Sequence, residues 1–359
     1  MKSVIRELDV MRALAIFIII FHHLPDFSFN FYNFKNIGIN VDLSFLKDLN
    51  RYFGLGIFVF LSGYLLELTN PNIKCFAEVK TFLYKRIARI FPLYIIAFIV
   101  FVLLFRNTIE NFTIFSICAH IFGLQIILSS KYCDTIFTLW YVGLIMAYYY
   151  SYALWRLINI NKTRYLVIYY MFISLVWLGV KSTIDIGDQR FVLYLPILVF
   201  GIIFAKEKIL ERIDIKIVSF AVLAILISAC IYIIFVYPKT VLHFPIKPSL
   251  LSFPSLAAMV LTNIIMASFV IITYYLSRHL TPPTFYSKIA KISYASFCMY
   301  LFHRPILYGL LQIFNPANIF IKTGYLILIG VPIVVFISFF IQKMMDLLVN
   351  RGLAPGKVA

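Results

Sequence analysis

Charged residues are scarce in this sequence: they make up 13% of its 359 residues, whereas hydrophobic residues reach 62%. Soluble domains carry about 25% charged and about 45 to 50% apolar residues, so this scarcity excludes an ordinary soluble fold. Most side chains must instead face lipid or other helices. The composition therefore predicts an all-α integral membrane protein that crosses the bilayer many times.

Acidic residues are scarcer still, with 15 Asp and Glu against 32 Lys and Arg and a formal net charge of +17. In a soluble protein this excess would favour nucleic acid as a partner. In a polytopic chain it has a simpler origin, because Lys and Arg concentrate in cytoplasmic loops and pair with anionic lipid. We expect contact with membrane lipid, no nucleic acid partner, and a multi-pass location in the plasma or inner membrane.

Cysteine motifs are absent: the five cysteines form no Cys-x-x-Cys motif and have no histidine at metal-ligand spacing. No metal site is therefore predicted. A disulfide between Cys118 and Cys133, which share a predicted extracytoplasmic segment, stays open because spacing alone does not decide it. A cleavable signal peptide is also not indicated, because the first apolar run contains Arg12 and lacks a small-residue cleavage site. We expect this run to remain as a permanent first helix.

Eleven apolar runs are long enough to cross a bilayer. All the basic loops lie on the cytoplasmic side only if one of the eleven runs does not cross the bilayer. If the run at 112–128 is the one that does not cross, every basic loop is cytoplasmic. We expect ten transmembrane helices with both termini cytoplasmic, and a re-entrant or surface segment over 107–135. This arrangement forms a single transmembrane domain at 1–350 and a short cytoplasmic tail at 351–359. The runs lie near 8–24, 53–69, 90–106, 112–128, 136–156, 164–180, 190–205, 216–237, 253–277, 292–313 and 323–347.

Arg12 and His23 share one face of the first helix. Their spacing places them within about 20° of each other and about 16 Å apart, whereas His22 points roughly 80° away. Arg12 suits the anionic end of a coenzyme A thioester, and the His23 imidazole suits removal of a proton from an acceptor hydroxyl. The alternative interpretation makes Arg12 an interface anchor paired with Asp9, and His23 a structural residue at a helix end.

Two further basic pairs stand at informative positions. Arg86 and Arg89 project from one face if their segment is helical, and such a pair of guanidinium groups matches phosphates. The alternative is an ordinary positively charged cytoplasmic flank. His303 lies inside a predicted span, where ionisable groups usually face a cavity or a partner. Arg304 either neutralises an acidic partner or serves packing.

Ser62 and Gly63 form a small-residue patch on the second predicted span. Helix packing explains such a patch. A nucleophilic role for Ser62 would require a neighbouring base. We therefore expect Ser62 to line a cavity rather than to act in catalysis, and we expect the same of His22.

Four stretches together resemble acyltransferase family 3, which includes bacterial O-acetyltransferases of surface polysaccharides. Arg12 and His23 match the family's Arg-x10-His element, and Arg86 and Arg89 match its Arg-x-x-Arg. LWYVG at 139–143 is similar to a family helix that contains tryptophan, although no Glu follows Trp140 as in some members. The four stretches are RELDVMRALAIFIIIFHH, GLGIFVFLSGYLL, KRIARIFPLY and ISYASFCMYLFHRP.

The resemblance implies a ten-helix domain that takes acyl groups, usually acetyl, from cytoplasmic acyl-coenzyme A and delivers them to a carbohydrate hydroxyl of the cell envelope. From the shared face of Arg12 and His23 and from the basic loop, we expect His23 to act as the catalytic general base, supported by Arg12. We expect Arg12, Arg86 and Arg89 to bind the phosphates of acetyl-coenzyme A. We expect His303 and Trp140 to line the cavity, and no metal to take part.

Relatives often carry a fused extracytoplasmic domain, whereas this chain ends about ten residues after its last predicted span. We therefore expect it to acylate the acceptor itself or to act with a separate extracytoplasmic transferase.

Two other functions remain open from the residues alone. Buried Arg and His also mark substrate pathways in transporters of anionic or sugar-linked substrates, although no repeated halves are visible. A glycosyltransferase acting on lipid-linked sugars would place acidic residues on its first outer loop, where Asp26 and Asp42 lie. Dependence of activity on a metal would distinguish that case.

Overall fold

The computed structural model describes residues 2–32, 43–70, 73–105, 113–129, 131–160, 162–236 and 253–352. Within these ranges the chain is helical and contains no β-strand, as the composition predicts. The helices are α1 (Lys2–His23), α2 (Ser44–Thr69), α3 (Phe76–Phe105), α4 (Ile114–Ile121), α5 (Gln125–Leu128), α6 (Trp140–Leu157), α7 (Thr163–Ile184), α8 (Arg190–Lys206), α9 (Ile215–Ile231), α10 (Phe253–Leu280), α11 (Pro283–Ile313), α12 (Ile319–Tyr325) and α13 (Val331–Gly352).

Seven helical stretches of the described chain are long and apolar enough to cross a membrane. Helices α6, α8 and α11 overlap three other predicted runs, but they are not among the stretches that are both long and apolar enough to cross a membrane. A multi-pass helical membrane protein is therefore confirmed, whereas the ten-span count and the side of the termini stay predictions. The seven stretches are Arg6–Asp26, Phe45–Thr69, Phe76–Phe105, Thr163–Ile184, Ile215–Phe235, Ser255–Leu280 and Ile319–Leu348.

The run at 112–128 forms no single long helix where it is described, from residue 113 onward. Helix α4 has 8 residues and α5 has 4, and Gly123 adopts a positive φ of 67° between them. At about 1.5 Å per residue, α4 reaches about 12 Å, well short of the roughly 30 Å hydrocarbon core. This geometry agrees with the prediction that the run does not cross.

The chain forms two compact units. The first contains Met1–Gly54, Tyr84–Thr108 and Pro282–Ala359, and the second contains Leu55–Leu83 and Ile109–Thr281. In the first unit α11 packs against both α1 and α13. This packing brings the helix that carries Arg12 and His23 against the helix that carries His303.

Two glycines allow α2 and α8 to approach closely within the second unit. A Cβ atom at Gly63 would overlap the backbone of Leu198, and one at Gly201 would overlap the backbone of Phe60. Backbone atoms cannot move aside as a flexible side chain can. The small residue at 63 therefore serves helix packing, as the sequence suggested.

We expect Gly201→Ala to destabilise the protein by about 1 to 3 kcal/mol, because the added methyl group overpacks a backbone contact. Gly179→Ala is the matched control, since a Cβ there meets nothing within 4 Å. Thermal unfolding of the two detergent-purified variants compares them directly. Equal midpoints would show that the α2–α8 contact is looser than the structure indicates.

Candidate active site

The C-terminal end of α1 places a carboxylate beside His23. Helix α1 ends at His23, and Pro25 is the second residue of the short 3-10 turn Leu24–Asp26. This turn brings Asp26 Oδ2 to 3.2 Å from His23 Nδ1. Because an ionised carboxylate can only accept, we assign the ring proton to Nδ1, which donates it to Asp26. The lone pair of the neutral imidazole then lies on Nε2, where a base needs it.

Two cations hold Asp26 in place. Arg304 donates from Nη2 to Oδ2 at 2.9 Å, and Lys47 donates from Nζ to Oδ1 at 2.9 Å. Arg304 Nη1 also lies 3.3 Å from His23 Nδ1. Since the proton on that nitrogen points to Asp26, the approach is a contact rather than a hydrogen bond. Arg304 therefore pairs with an acidic partner, one of the two roles that the sequence left open.

His303 lies directly against His23. The two imidazole rings stack with centroids 5.2 Å apart and an interplanar angle of 28°. His303 is fully buried, and its Nδ1 lies 2.9 Å from the carbonyl oxygen of Tyr300 and 3.1 Å from that of Met299. His303 is therefore a buried neighbour of His23, and its role in lining a cavity stays a prediction.

His22 has a different position from its neighbour. Its Nδ1 lies 2.9 Å from the backbone carbonyl of Lys47, and its ring meets the His23 ring edge-on at 4.6 Å. Because the carbonyl accepts, His22 donates and thereby ties α1 to α2. His22 therefore contacts both the backbone of Lys47 and the ring of His23.

Arg12 lies nearer the N-terminal end of α1 than His23 does, in a polar network between α1 and α11. Its Nη1 is 3.4 Å from Asp9 Oδ1 and 3.2 Å from Ser293 Oγ. Ser293 donates to Asp9 Oδ1 at 2.7 Å, and the Tyr286 hydroxyl donates to Oδ2 at 3.0 Å. The predicted pairing of Arg12 with Asp9 is therefore present, and α11 fixes the carboxylate that orients the guanidinium.

Arg86 and Arg89 both lie on α3, so the helical face that the sequence required for them exists. Arg89 is exposed, and Arg86 is half-buried. The first compact unit contains all three predicted phosphate ligands as well as His23 and His303.

A family model described as an acyltransferase domain matches residues 5–343, nearly the whole chain. The chain belongs to acyltransferase family 3. The matched span contains every residue of the His23 cluster and of the Arg12 network. No curated protein and no solved structure matches the chain.

The other two cavity candidates of this acyltransferase belong to the second unit. Ser62 donates its hydroxyl to the Phe58 carbonyl at 2.8 Å, a bond within its own helix. The Trp140 ring is buried, with the guanidinium carbon of Arg190 4.2 Å from its centroid. Trp140 therefore forms a cation–π contact in the interior of that unit.

Arg190 was not predicted from the sequence. Its Nε donates to Asp188 Oδ1 at 2.9 Å, and its Nη2 donates to Thr135 Oγ1 at 2.9 Å. The Trp177 indole donates to the Asp188 carbonyl at 2.9 Å. These bonds fix the cation that covers Trp140. The position of Arg190 at the start of α8 gave no signal of the contact, because helix ends of membrane proteins commonly carry basic residues.

Asp26 was considered as an acidic residue of a metal-dependent glycosyltransferase. Among the described residues, no three His, Cys, Asp or Glu side chains converge on a position that could hold a metal ion. Asp42, the other residue of that hypothesis, lies outside the described residues. In this acyltransferase Asp26 contacts a histidine and two cations.

Proposed function

We propose that this acyltransferase moves an acyl group, in the simplest case acetyl, from cytoplasmic acyl-coenzyme A to a hydroxyl of a cell-surface or lipid-linked carbohydrate. The contact between His23 Nδ1 and Asp26 is the observation that carries the proposal. It assigns the basic lone pair to Nε2 and sets a carboxylate behind the ring. A histidine in this arrangement is suited to general-base catalysis of acyl transfer.

His23 acts on both halves of the reaction. Its Nε2 takes the proton of the acceptor hydroxyl as the hydroxyl oxygen bonds to the thioester carbon. Asp26 stabilises the resulting imidazolium, since a negative charge adjacent to Nδ1 favours the protonated ring. When the carbon–sulfur bond breaks, the imidazolium returns the proton to the departing thiolate. The products are the ester and coenzyme A, and the base is restored.

Arg304 and Lys47 make the carboxylate rigid. Each donates to a different oxygen of Asp26, which restrains rotation of the carboxylate away from His23.

The donor's phosphates belong, in this proposal, at the opposite end of α1. Arg12, Arg86 and Arg89 provide guanidinium groups, whose forked donors match phosphate oxygens. The spacing of about 16 Å between Arg12 and His23 leaves room for the uncharged pantetheine arm. Ten spans with both termini cytoplasmic in a plasma or inner membrane complete the proposal, because they place Arg12 near the cytoplasm and His23 near the opposite face.

Binding of acetyl-coenzyme A to the detergent-purified protein tests this assignment. We expect the double variant Arg86→Ala, Arg89→Ala to bind at least about tenfold more weakly, because two charge-assisted contacts to phosphate are lost. Lys85→Ala is the matched control, as Lys85 is an exposed cation of the same helix.

Equal affinity of the wild type and the double variant would remove both arginines from the donor site. A well-folded wild type that binds no acetyl-coenzyme A would refute the acyl donor itself. The transporter of an anionic or sugar-linked substrate would then be the better hypothesis.

A further inference from the structure

His303 carries a buried nitrogen that makes no hydrogen bond in the described structure. Its Nδ1 faces the carbonyl oxygens of Tyr300 and Met299, which can only accept, so the proton of the neutral ring lies on Nδ1. Nε2 then offers a lone pair, and this atom is buried without a hydrogen-bond partner. Buried acceptors are almost always satisfied, so a group that satisfies Nε2 is to be expected in the working complex.

The location of this acceptor limits what the group can be. The His303 ring is stacked on the ring of the proposed base, at a centroid distance of 5.2 Å. Whereas His303 is 0% exposed, the side chains of His23 and Asp26 are 16% and 27% exposed. Solvent exposure therefore increases from His303 through His23 to Asp26. We expect the hydrated acceptor to bind on the exposed side, near Asp26, and an uncharged, largely apolar part of the donor to bind on the buried side, near His303.

Resting on the proposed function, we propose that His303 Nε2 accepts a hydrogen bond from the pantetheine amide N–H nearest the thioester sulfur of the donor. A short ethylene link separates that N–H from the sulfur. A thioester positioned for attack beside His23 therefore carries the amide to the adjacent imidazole. No proton is transferred at His303, which is a binding residue that sets the register of the thioester against the base.

The test compares acetyl-coenzyme A with an analogue in which an ester oxygen replaces that N–H. Isothermal titration of the purified full-length chain measures both affinities. We expect the wild type to bind the analogue about five- to tenfold more weakly, as one buried hydrogen bond is lost. His303→Leu should bind the two compounds equally. His303→Gln, which keeps an accepting oxygen, should retain part of the discrimination and serves if the leucine variant does not fold.

The outcomes separate this inference from the proposed function. If the wild type binds acetyl-coenzyme A and its ester analogue equally, the inference is wrong and the acyl donor stands. If it binds neither compound, the proposed function fails. If His303→Leu retains full discrimination between the two compounds but has a higher KM for the acceptor in transfer assays, Nε2 serves the acceptor hydroxyl, which also overturns the inference.

Discussion

Replacement of His23 by alanine is expected to lower acyl transfer by about 10²- to 10⁴-fold, the range in which a positioned general base contributes. The reason is chemical, because the variant keeps Asp26, Arg304 and Lys47 but lacks the imidazole nitrogen that takes the hydroxyl proton in the proposed reaction. Release of coenzyme A from acetyl-coenzyme A by membranes that contain the acceptor measures the loss. Donor binding should change little, since the proposed phosphate ligands are untouched.

His279→Ala is the control for this variant. His279 is an exposed histidine on α10 whose ring contacts Tyr275, and it belongs to the other compact unit. It should retain normal turnover. Near-normal turnover in the folded His23→Ala variant would show that another group, or solvent, accepts the proton.

Asp26→Asn is expected to lower turnover by about 10²- to 10⁴-fold, although the side chain keeps its shape. An asparagine can turn its amide N–H toward His23 Nδ1. The ring proton then moves to Nε2, and the basic lone pair is no longer available to the acceptor. The substitution also leaves Arg304 and Lys47 without their shared carboxylate, which adds destabilisation to the loss of activity.

Asp48→Asn separates these two effects. Asp48 forms a similar ion pair with Arg51, at 2.9 Å, in the same compact unit. Loss of that pair should change thermal stability without a comparable loss of turnover. Similar turnover losses in Asp26→Asn and Asp48→Asn would indicate that both carboxylates act only through stability.

The long apolar helices could be predicted from the sequence because lipid exposure leaves a continuous apolar run. Their ends could not. Helix α3 begins at Phe76 although its apolar run begins near residue 90, and α11 begins at Pro283 although its run begins near 292. A charged helix outside the bilayer keeps its backbone hydrogen bonds, so the boundary of an apolar run need not be the end of a helix.

The relative position of Arg12 and His23 could also be predicted from the sequence, since both lie on one helix and its periodicity relates them. The contacts that residues of α1 and of the turn after it make with residues of α11 could not be predicted. The Arg304 that holds Asp26 is 278 positions away in the chain, and the Ser293 that contacts Arg12 is 281 positions away. Only the packing of α11 on α1 joins these residues, and a single sequence does not specify that pairing.

Asp26 shows that one local signal can support two different hypotheses. As an acidic residue shortly after a helix, it suggested a metal-dependent glycosyltransferase. Its position three residues after His23, across a turn that contains Pro25, is equally suited to a hydrogen bond with that histidine. In the structure Asp26 contacts His23, Arg304 and Lys47, and its part in catalysis stays a prediction.

The most direct test of acyl transfer to a carbohydrate uses sealed membrane vesicles from cells that produce both this protein and the carbohydrate. It measures transfer of radiolabelled acetyl groups from acetyl-coenzyme A to the carbohydrate. We predict alkali-labile label in the carbohydrate fraction when the cytoplasmic face is outward, little when it is inward, and little in either case with His23→Ala. Vesicles that contain folded wild-type protein and the carbohydrate, yet acquire no such label in either orientation, would contradict the account.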